Sequence, residues 1–375
     1  MMNGDLRFNL YCICSMNQLS GRHIIILFLL LNLTTAATSQ TLWTHQESAP
    51  AYKGKQDDIY FINPDMGWYV NGSGKIYRTR DGGTNWALEF EKPGTYFRCV
   101  GFIDSLNGFA GNIGTDYFPG VSDTVPIYKT TDGGKTWSSI VYKGPVIKGV
   151  CAIDILKEPF INAGVLDYKF HIIAGGRVGS PAFILRSDDA GKTWSSSDLN
   201  KYCAFILDIK FFTPNEGLVF AGCGKDLEKT HACILYTDNG GKTWQKKYES
   251  KRPYEITWKA SFPTRKTGYV TIQSYDPDST VAQRYVAKTT NGGKKWKEIK
   301  LDADYSCQEF GIGFTDENTG WVGTMKTGYE THDGGATWKK VAMGKAVNKI
   351  RLLKTPSGFV GYAIGKDIYK MEIKR

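Results

Sequence analysis

The sequence predicts an all-β fold: a seven-bladed β-propeller of four-stranded blades, closed by an N-terminal strand that completes the last blade. Three observations predict it. An octapeptide recurs six times, as TRDGGTNW from Thr79, TTDGGKTW from Thr130, SDDAGKTW from Ser187, TDNGGKTW from Thr237, TTNGGKKW from Thr289 and THDGGATW from Thr331. Its third residues, Asp81, Asp132, Asp189, Asn239, Asn291 and Asp333, are 51, 57, 50, 52 and 42 residues apart, the spacing of a propeller or solenoid. A glycine followed by an aromatic or aliphatic residue recurs at Gly67, Gly108, Gly217, Gly268, Gly320 and Gly358, with a variant around Ile172 to Gly175. That makes seven units, one more than the octapeptides. Composition agrees: 42 Gly, 21 Tyr, 19 Phe and 10 Trp suit turns and large side chains between sheets, and no long helical period follows the N-terminus.

The chain opens on an apolar run, Ile24 to Leu33, behind Arg22 and His23 and ahead of TTAATSQ. Basic start, short apolar centre and small residues before Gln40 read as a secretory signal over residues 1–39, with Met16 a possible true start. No Cys follows closely enough for lipid attachment, and the run is short for a membrane span. The expectation is therefore an exported protein, periplasmic, cell-surface or secreted, with no membrane span after cleavage. Residues 40–375 form the propeller, and these 336 residues give 48 per blade.

Each octapeptide has the chemistry of a tight hairpin. The Asp or Asn folds back onto backbone N–H groups, Gly supplies a positive φ, and the closing Trp packs between sheets. The motif is structural on this reading, and it joins the third and fourth strands of a blade. The seventh unit, from about Val347, ends at GKDIYKMEIKR without reaching an octapeptide. Thr41-Leu42-Trp43-Thr44, whose Trp matches those opening the other outer strands, is expected to supply the missing strand and so remove exposed sheet edges.

The octapeptide resembles the Asp-box, or BNR repeat. The longer unit around it, as in DDIYFINPDMGWYVNGSGKIYRTRDGGTNW from Asp57 and GIGFTDENTGWVGTMKTGYETHDGGATW from Gly311, is similar to the photosystem II assembly/stability factor-like propellers across nearly the whole exported part. Sialidases, sortilin-type receptors and some xyloglucanases share only the box. The resemblance implies a non-catalytic module that binds a protein partner, with basic residues near the channel. An insertion at Lys157 to Lys169 and the two Asn boxes depart from the pattern.

Candidate sites follow from blade topology. The loops between second and third strands lie on the face opposite the boxes, and three of them are long: NIGTDYFPGVSDTVP from Asn112, GCGKDLEKTHAC from Gly222 and SYDPDSTVAQR from Ser274. They direct Asp116, Tyr117, Phe118, Asp226, His231, Tyr275 and Asp276 toward one face. Rings beside carboxylates suit a sugar-binding surface, although loops also gather polar residues for solubility. Aligning first strands on the glycine step gives channel candidates Arg98, Lys148, Asp208, Lys259 and Lys349. Arg98, Lys148, Lys259 and Lys349 could form a positive ring, or be neutralised internally by Asp58 and Asp208.

Six cysteines remain after signal removal. Cys223 and Cys233 flank one hairpin, a reasonable disulfide in an oxidising compartment, and the other four are expected buried and free. No paired CxxC or HxxxH pattern supports zinc, and no cofactor is expected. The formal charge is +10, or +9 without Arg7, Arg22 and Asp5. Lys251-Arg252 and Lys294-Lys295-Trp296-Lys297 favour an anionic partner such as an acidic glycan, or simply a solvated surface. Export and the lack of a recognised motif argue against nucleic acid. There is no F/Y-R-I-P segment of the sialidase type, nucleophile elbow, Walker loop or HExxH, so catalytic residues stay unassigned. Two functions remain: a monomeric exported propeller binding a protein partner in the cell envelope, or a carbohydrate-active protein, glycan-binding, hydrolase or lyase, working on the loops of blades two, four and five.

Overall fold

The computed structural model describes residues 42–50, 52–278, 283–302, 304 and 307–374. The segment read as a secretory signal lies outside the described residues. The regular elements of the described chain are strands apart from one short 3-10 helix, Leu227–Lys229, and the strands form seven antiparallel sheets of four. Blade one runs Gln56–Phe61, Gly67–Asn71, Lys75–Thr79 and Ala87–Glu91, and the later blades repeat that order. The first strands are Gln56–Phe61, Phe97–Phe102, Ala152–Asn162, Phe205–Phe211, Glu255–Ser261, Glu309–Phe314 and Lys349–Thr355. Each touches the next, and the seventh touches the first, so the ring is closed around a channel.

Blade seven closes as expected. Its outer strand is Thr44–His45, with Thr44 opposite Lys370 and His45 opposite Tyr369. Trp43 anchors that strand from just outside it, 4% exposed and edge-on to Trp321 at 5.9 Å.

The glycine step has a steric cause. A Cβ at Gly67, Gly108, Gly217, Gly268 or Gly320 would fall within 2.6 Å of the ring of Phe61, Phe102, Phe211, Phe262 or Phe314, the residue six positions earlier. The first strand's aromatic side chain lies flat over the start of the second, and only hydrogen fits beneath it. The rings then pack between blades: Trp68 stacks on Phe102 at 3.6 Å and Tyr269 on Phe314 at 3.6 Å.

The boxes behave as hairpin clasps. In blade two, Asp132 Oδ1 accepts from the Thr136 amide (3.0 Å) and the Thr130 hydroxyl (2.8 Å), and Oδ2 accepts from the Thr136 hydroxyl (2.6 Å). The Thr130 oxygen accepts from the Gly134 amide, while Trp137 Nε1 donates to the Gly134 carbonyl. Hydrogen bonds from Thr136 hold the Asp132 carboxyl down at about 2. Gly133 and Gly134 have φ of 79° and 99°, which a side chain would strain.

Blade three departs most from the repeat. Its first two strands, Ala152–Asn162 and Val165–Gly176, extend into a long hairpin that accounts for the insertion. Cys223 and Cys233 form a disulfide, Cys99, Cys151 and Cys203 are buried free thiols, and Cys307 is buried.

Candidate functional site

The channel divides into a sealed lower part and an open mouth. In the lower part, acidic side chains on first strands reach across to the next blade. Asp58 Oδ2 accepts from the Val100 amide (3.2 Å), Asp154 Oδ2 from Phe211 (2.7 Å) and Asp208 Oδ2 from Ala260 (3.0 Å). Asp58 and Asp208 each stand three residues before the flat Phe, so these carboxylates are inter-blade latches at a repeated position.

Basic groups complete the set. Lys349 Nζ and Arg351 Nη2 lie 3.3 and 3.4 Å from Asp58 Oδ1, Lys210 Nζ lies 3.1 Å from Asp154, and Lys259 Nζ donates to the Leu207 carbonyl at 2.6 Å. Burial alone would raise the Asp58 carboxyl, but Lys349, Arg351 and Lys259 outweigh it and hold it below the usual range. Burial also lowers Lys259 to about 8, against the pull of Asp208. The space among these groups is only about 80 Å³. Arg98, Asp208, Lys259 and Lys349 therefore line the channel wall as internal partners, each 8% exposed or less.

Lys148 is placed elsewhere. It precedes the first strand of blade three, which starts only at Ala152, and its side chain is 56% exposed, 3.9 Å from Asp116 on the loop face.

The mouth is a cationic cup with aromatic walls. Arg98, 4% exposed, donates through Nη1 to Asp57 Oδ1, and its Cζ lies 5.3 Å from the Trp258 ring centre. Its Nε has no hydrogen-bond partner among the described residues. Beside it, Lys55 Nζ donates to Asn348 Oδ1 (3.2 Å) and sits 5.2 Å from both the Trp258 and Phe310 rings. Asn348 is held in turn by its own donation to the Asp57 carbonyl and by Trp258 Nε1. Burial first and Arg98 second lower the Lys55 ammonium to about 7, with Asp57 opposing. Burial raises Asp57, partly countered by Arg98 and Lys55.

Loop residues roof this cup. Phe118 stacks on Tyr96 at 4.5 Å, and Tyr117 meets Phe118 edge-on at 4.8 Å. Tyr117 and Phe118 are 43% and 37% exposed, an adjacent pair of rings open to solvent on this face. Tyr275 packs, with Tyr96, against the apolar cluster that holds Trp258, Phe310, Phe205 and Val178. Arg177 donates to the Thr115 carbonyl and lies 3.9 Å from Asp116, fixing the root of the same loop.

The remaining loop-face candidates stay apart. Asp226 is exposed at the start of the 3-10 helix, without a side-chain capping bond. His231 Nδ1 faces the Ser250 carbonyl at 3.0 Å, and Asp276 accepts from the Asp278 amide. Among the described residues no hydrogen bond or ion pair joins any two of Asp116, Asp226, His231 and Asp276. No group of three His, Cys, Asp or Glu suited to a metal occurs among them either.

Sequence reasoning missed Lys55, Tyr96 and Arg177. Lys55 stands two residues before Asp57 at the entrance to the first strand, and Arg177 follows the variant glycine step. Counting back from the step finds strand interiors, whereas these three stand on the segments between strands.

Comparison with known proteins agrees with this architecture. The BNR/Asp-box repeat model matches residues 235–246. The photosystem II assembly lipoprotein Ycf48 of Nostoc sp. (strain PCC 7120 / SAG 25.82 / UTEX 2576) is 24% identical over 316 residues, spanning 65% of this chain and 89% of that protein. Among solved structures, Ycf48 from Cyanidioschyzon merolae superposes with a TM-score of 0.61 at 17% identity, covering 88% of this chain and 98% of the other. Ycf48 bound to D1 peptide gives 0.60 at 15% identity, with 90% and 96% covered. An ancestral GH74 enzyme gives 0.59 at 14% identity over 88% of this chain but only 46% of its own. Among the described residues no helix is long and apolar enough to cross a membrane. The chain is a seven-bladed β-propeller that carries an Asp-box (BNR) repeat match at residues 235–246 and is similar in sequence and fold to the photosystem II assembly lipoprotein Ycf48.

Proposed function

We propose that this chain is a non-catalytic, exported binding module that takes a segment of a protein partner at the channel mouth, on the face opposite the boxes. The observation that carries the reading is the cup itself: a buried guanidinium with a free Nε, a lysine beside it, and exposed rings of Tyr117 and Phe118 above. Exposed aromatic side chains around a buried arginine are the residue types that dominate protein recognition. A similar propeller, Ycf48, has been captured with a peptide, which supports the same class of ligand here. Export is supported by the Arg22 to Gln40 segment and by the Cys223–Cys233 disulfide. The dispersed carboxylates favour binding over glycoside hydrolysis, which needs two of them facing one bond.

The test is site-specific photo-crosslinking in the native cell, with the crosslinker at Tyr117 and, as a control, at Thr136 on the box face. A partner joined from Tyr117, absent from Thr136, and lost when Phe118→Ala is added is expected. Equal capture from both faces removes the mouth as the binding site.

A further inference from the structure

The net positive charge of the wheel is confined to one half of it. Residues 41–203 carry 17 basic and 17 acidic side chains, whereas residues 204–375 carry 28 basic and 19 acidic. On the outer strands the contrast is local. Blades one to three present Ala87–Glu91 (ALEFE), Ser138–Ser139 and Ser195–Asp198 (SSSD), none with a lysine. Blades four to six present Gln245–Glu249 (QKKYE), Lys297–Asp302 (KEIKLD) and Lys339–Val341 (KKV). Lysines on an edge strand commonly serve to block edge-to-edge pairing. That role is needed on every blade, so it does not explain why blades one to three and blade seven, whose outer strand is Thr44–His45, lack them.

Lys297, with Lys288 and Lys295 of the same blade, lines a groove. Between the boxes of blades five and six lies a depression of about 590 Å³, lined by Lys288, Lys295, Trp296, Lys297, Ile299 and Ala336, among others. Lys295 and Lys297 are exposed, and no carboxylate pairs with either among the described residues. The two carboxylates that also line the groove are already committed. Glu298 accepts from Arg252 (3.0 and 2.9 Å) and the Tyr248 hydroxyl (2.5 Å), and Asp333 accepts from Thr331 and Thr337 inside its own box. The groove thus has an apolar floor of Trp296, Ile299 and Ala336 beside the exposed ammonium groups of Lys295 and Lys297, which no carboxylate pairs among the described residues.

We propose that this groove binds a linear acidic polysaccharide, with the ammonium groups of Lys295 and Lys297 on its carboxylate or sulfate groups and its sugar faces on the Trp296–Ile299 floor. The recess favours a narrow chain over a membrane, since a flat bilayer surface cannot enter it. An apolar floor between cations matches a sugar ring, which carries a C–H face and charge at its edge. The site is independent of the channel mouth and stands or falls separately from it.

Isothermal titration of the full chain with polygalacturonate (carboxylate) and dextran sulfate (sulfate), with neutral dextran as control, tests the proposal. Binding to one or both acidic chains and not to neutral dextran is expected. Affinity should fall about tenfold or more in Lys295→Glu/Lys297→Glu, and similarly in Ala336→Trp, which fills the groove without changing charge. Lys246→Glu/Lys339→Glu, on neighbouring outer strands, should leave it within about twofold. Thermal melts of each variant establish that the fold is intact. Binding that survives Ala336→Trp, or equal affinity for polyglutamate, would show a diffuse polycation rather than a glycan groove and overturn the proposal. So would no binding to either acidic polysaccharide.

Discussion

The boxes and the channel hub both fix charged side chains with hydrogen bonds, yet they do it in opposite ways. In a box, every partner of Asp132 lies within four residues, and the carboxylate stays near solvent. At the hub, Asp58 is 1% exposed, and its cationic partners Lys349 and Arg351 are 291 and 293 residues away in the chain. One network is local, redundant and repeated six times. At the hub the latching carboxylate recurs at Asp154 and Asp208, but its pairing with Lys349 and Arg351 is assembled only where blade seven meets blade one. The hub should therefore behave as the cooperative lock of the wheel, and single boxes as replaceable fittings.

The sharpest break is Asp58→Ala. It leaves buried Lys349 and half-buried Arg351 without their carboxylate and deletes the acceptor for the Val100 amide, so a loss of about 3–5 kcal/mol is expected. Urea denaturation monitored by tryptophan fluorescence measures it. A loss below about 1 kcal/mol would mean that the seam between blades one and seven does not limit stability. The same residue sets an acid limit. Its folded pKa lies below 3.8, so its contribution is complete above that pH and fades as pH falls through the folded value. Asp58→Ala should lose that part of the acid slope, which acid unfolding curves of both proteins will show.

Second in size is an alkaline effect of the mouth. Lys55 is lowered from 10.5 to about 7, so between those values the unfolded chain holds a proton that the folded chain has released. Stability should then rise with pH across that window, the reverse of a paired lysine. Lys55→Met keeps the bulk against Trp258 and Phe310 and removes the titration. Melting temperatures from pH 7 to 10 should rise less steeply in the variant, with the remaining slope owed largely to Lys259, lowered to about 8. Equal slopes would place the Lys55 ammonium in water.

The contrast between the two networks also explains what the sequence disclosed. Boxes, the Gly67-type steps and the strand at Trp43 were legible because each is a local pattern with a local cause: a side chain bonding four residues on, or a ring lying over a glycine six residues on. The Arg98, Lys259 and Lys349 positions were reachable by counting along a strand. Their partners were not, because Asp57–Arg98 and Asp58–Lys349 depend on which strands adjoin across the ring. Lys148 shows the same limit: sequence proximity made it a channel candidate, but the first strand of its blade begins four residues later. Lys55 was invisible for a further reason, since its surroundings come from Trp258, Phe310 and Asn348 in blades five to seven.

The smallest effect is the most discriminating test of the boxes as fittings. In blade four the box carries Asn239, whose Oδ1 still accepts from the Thr243 amide (3.0 Å) while Nδ2 donates to the Thr243 hydroxyl (2.7 Å). The hydroxyl has reversed its role from donor to acceptor, and the hairpin is kept. In blade five Lys295 replaces that threonine, and Asn291 retains its acceptance from the residue-295 amide (2.9 Å). Asp132→Asn should therefore cost within about 0.5 kcal/mol, because the threonine hydroxyl simply rotates. Asp132→Ala removes every acceptor at once and should cost about 1–2 kcal/mol, still less than the hub. Denaturation midpoints of the two variants check the ordering. If Asp132→Asn were as damaging as Asp132→Ala, negative charge rather than hydrogen-bond geometry would be holding the hairpin, and the Asn boxes of blades four and five would need another source of stability.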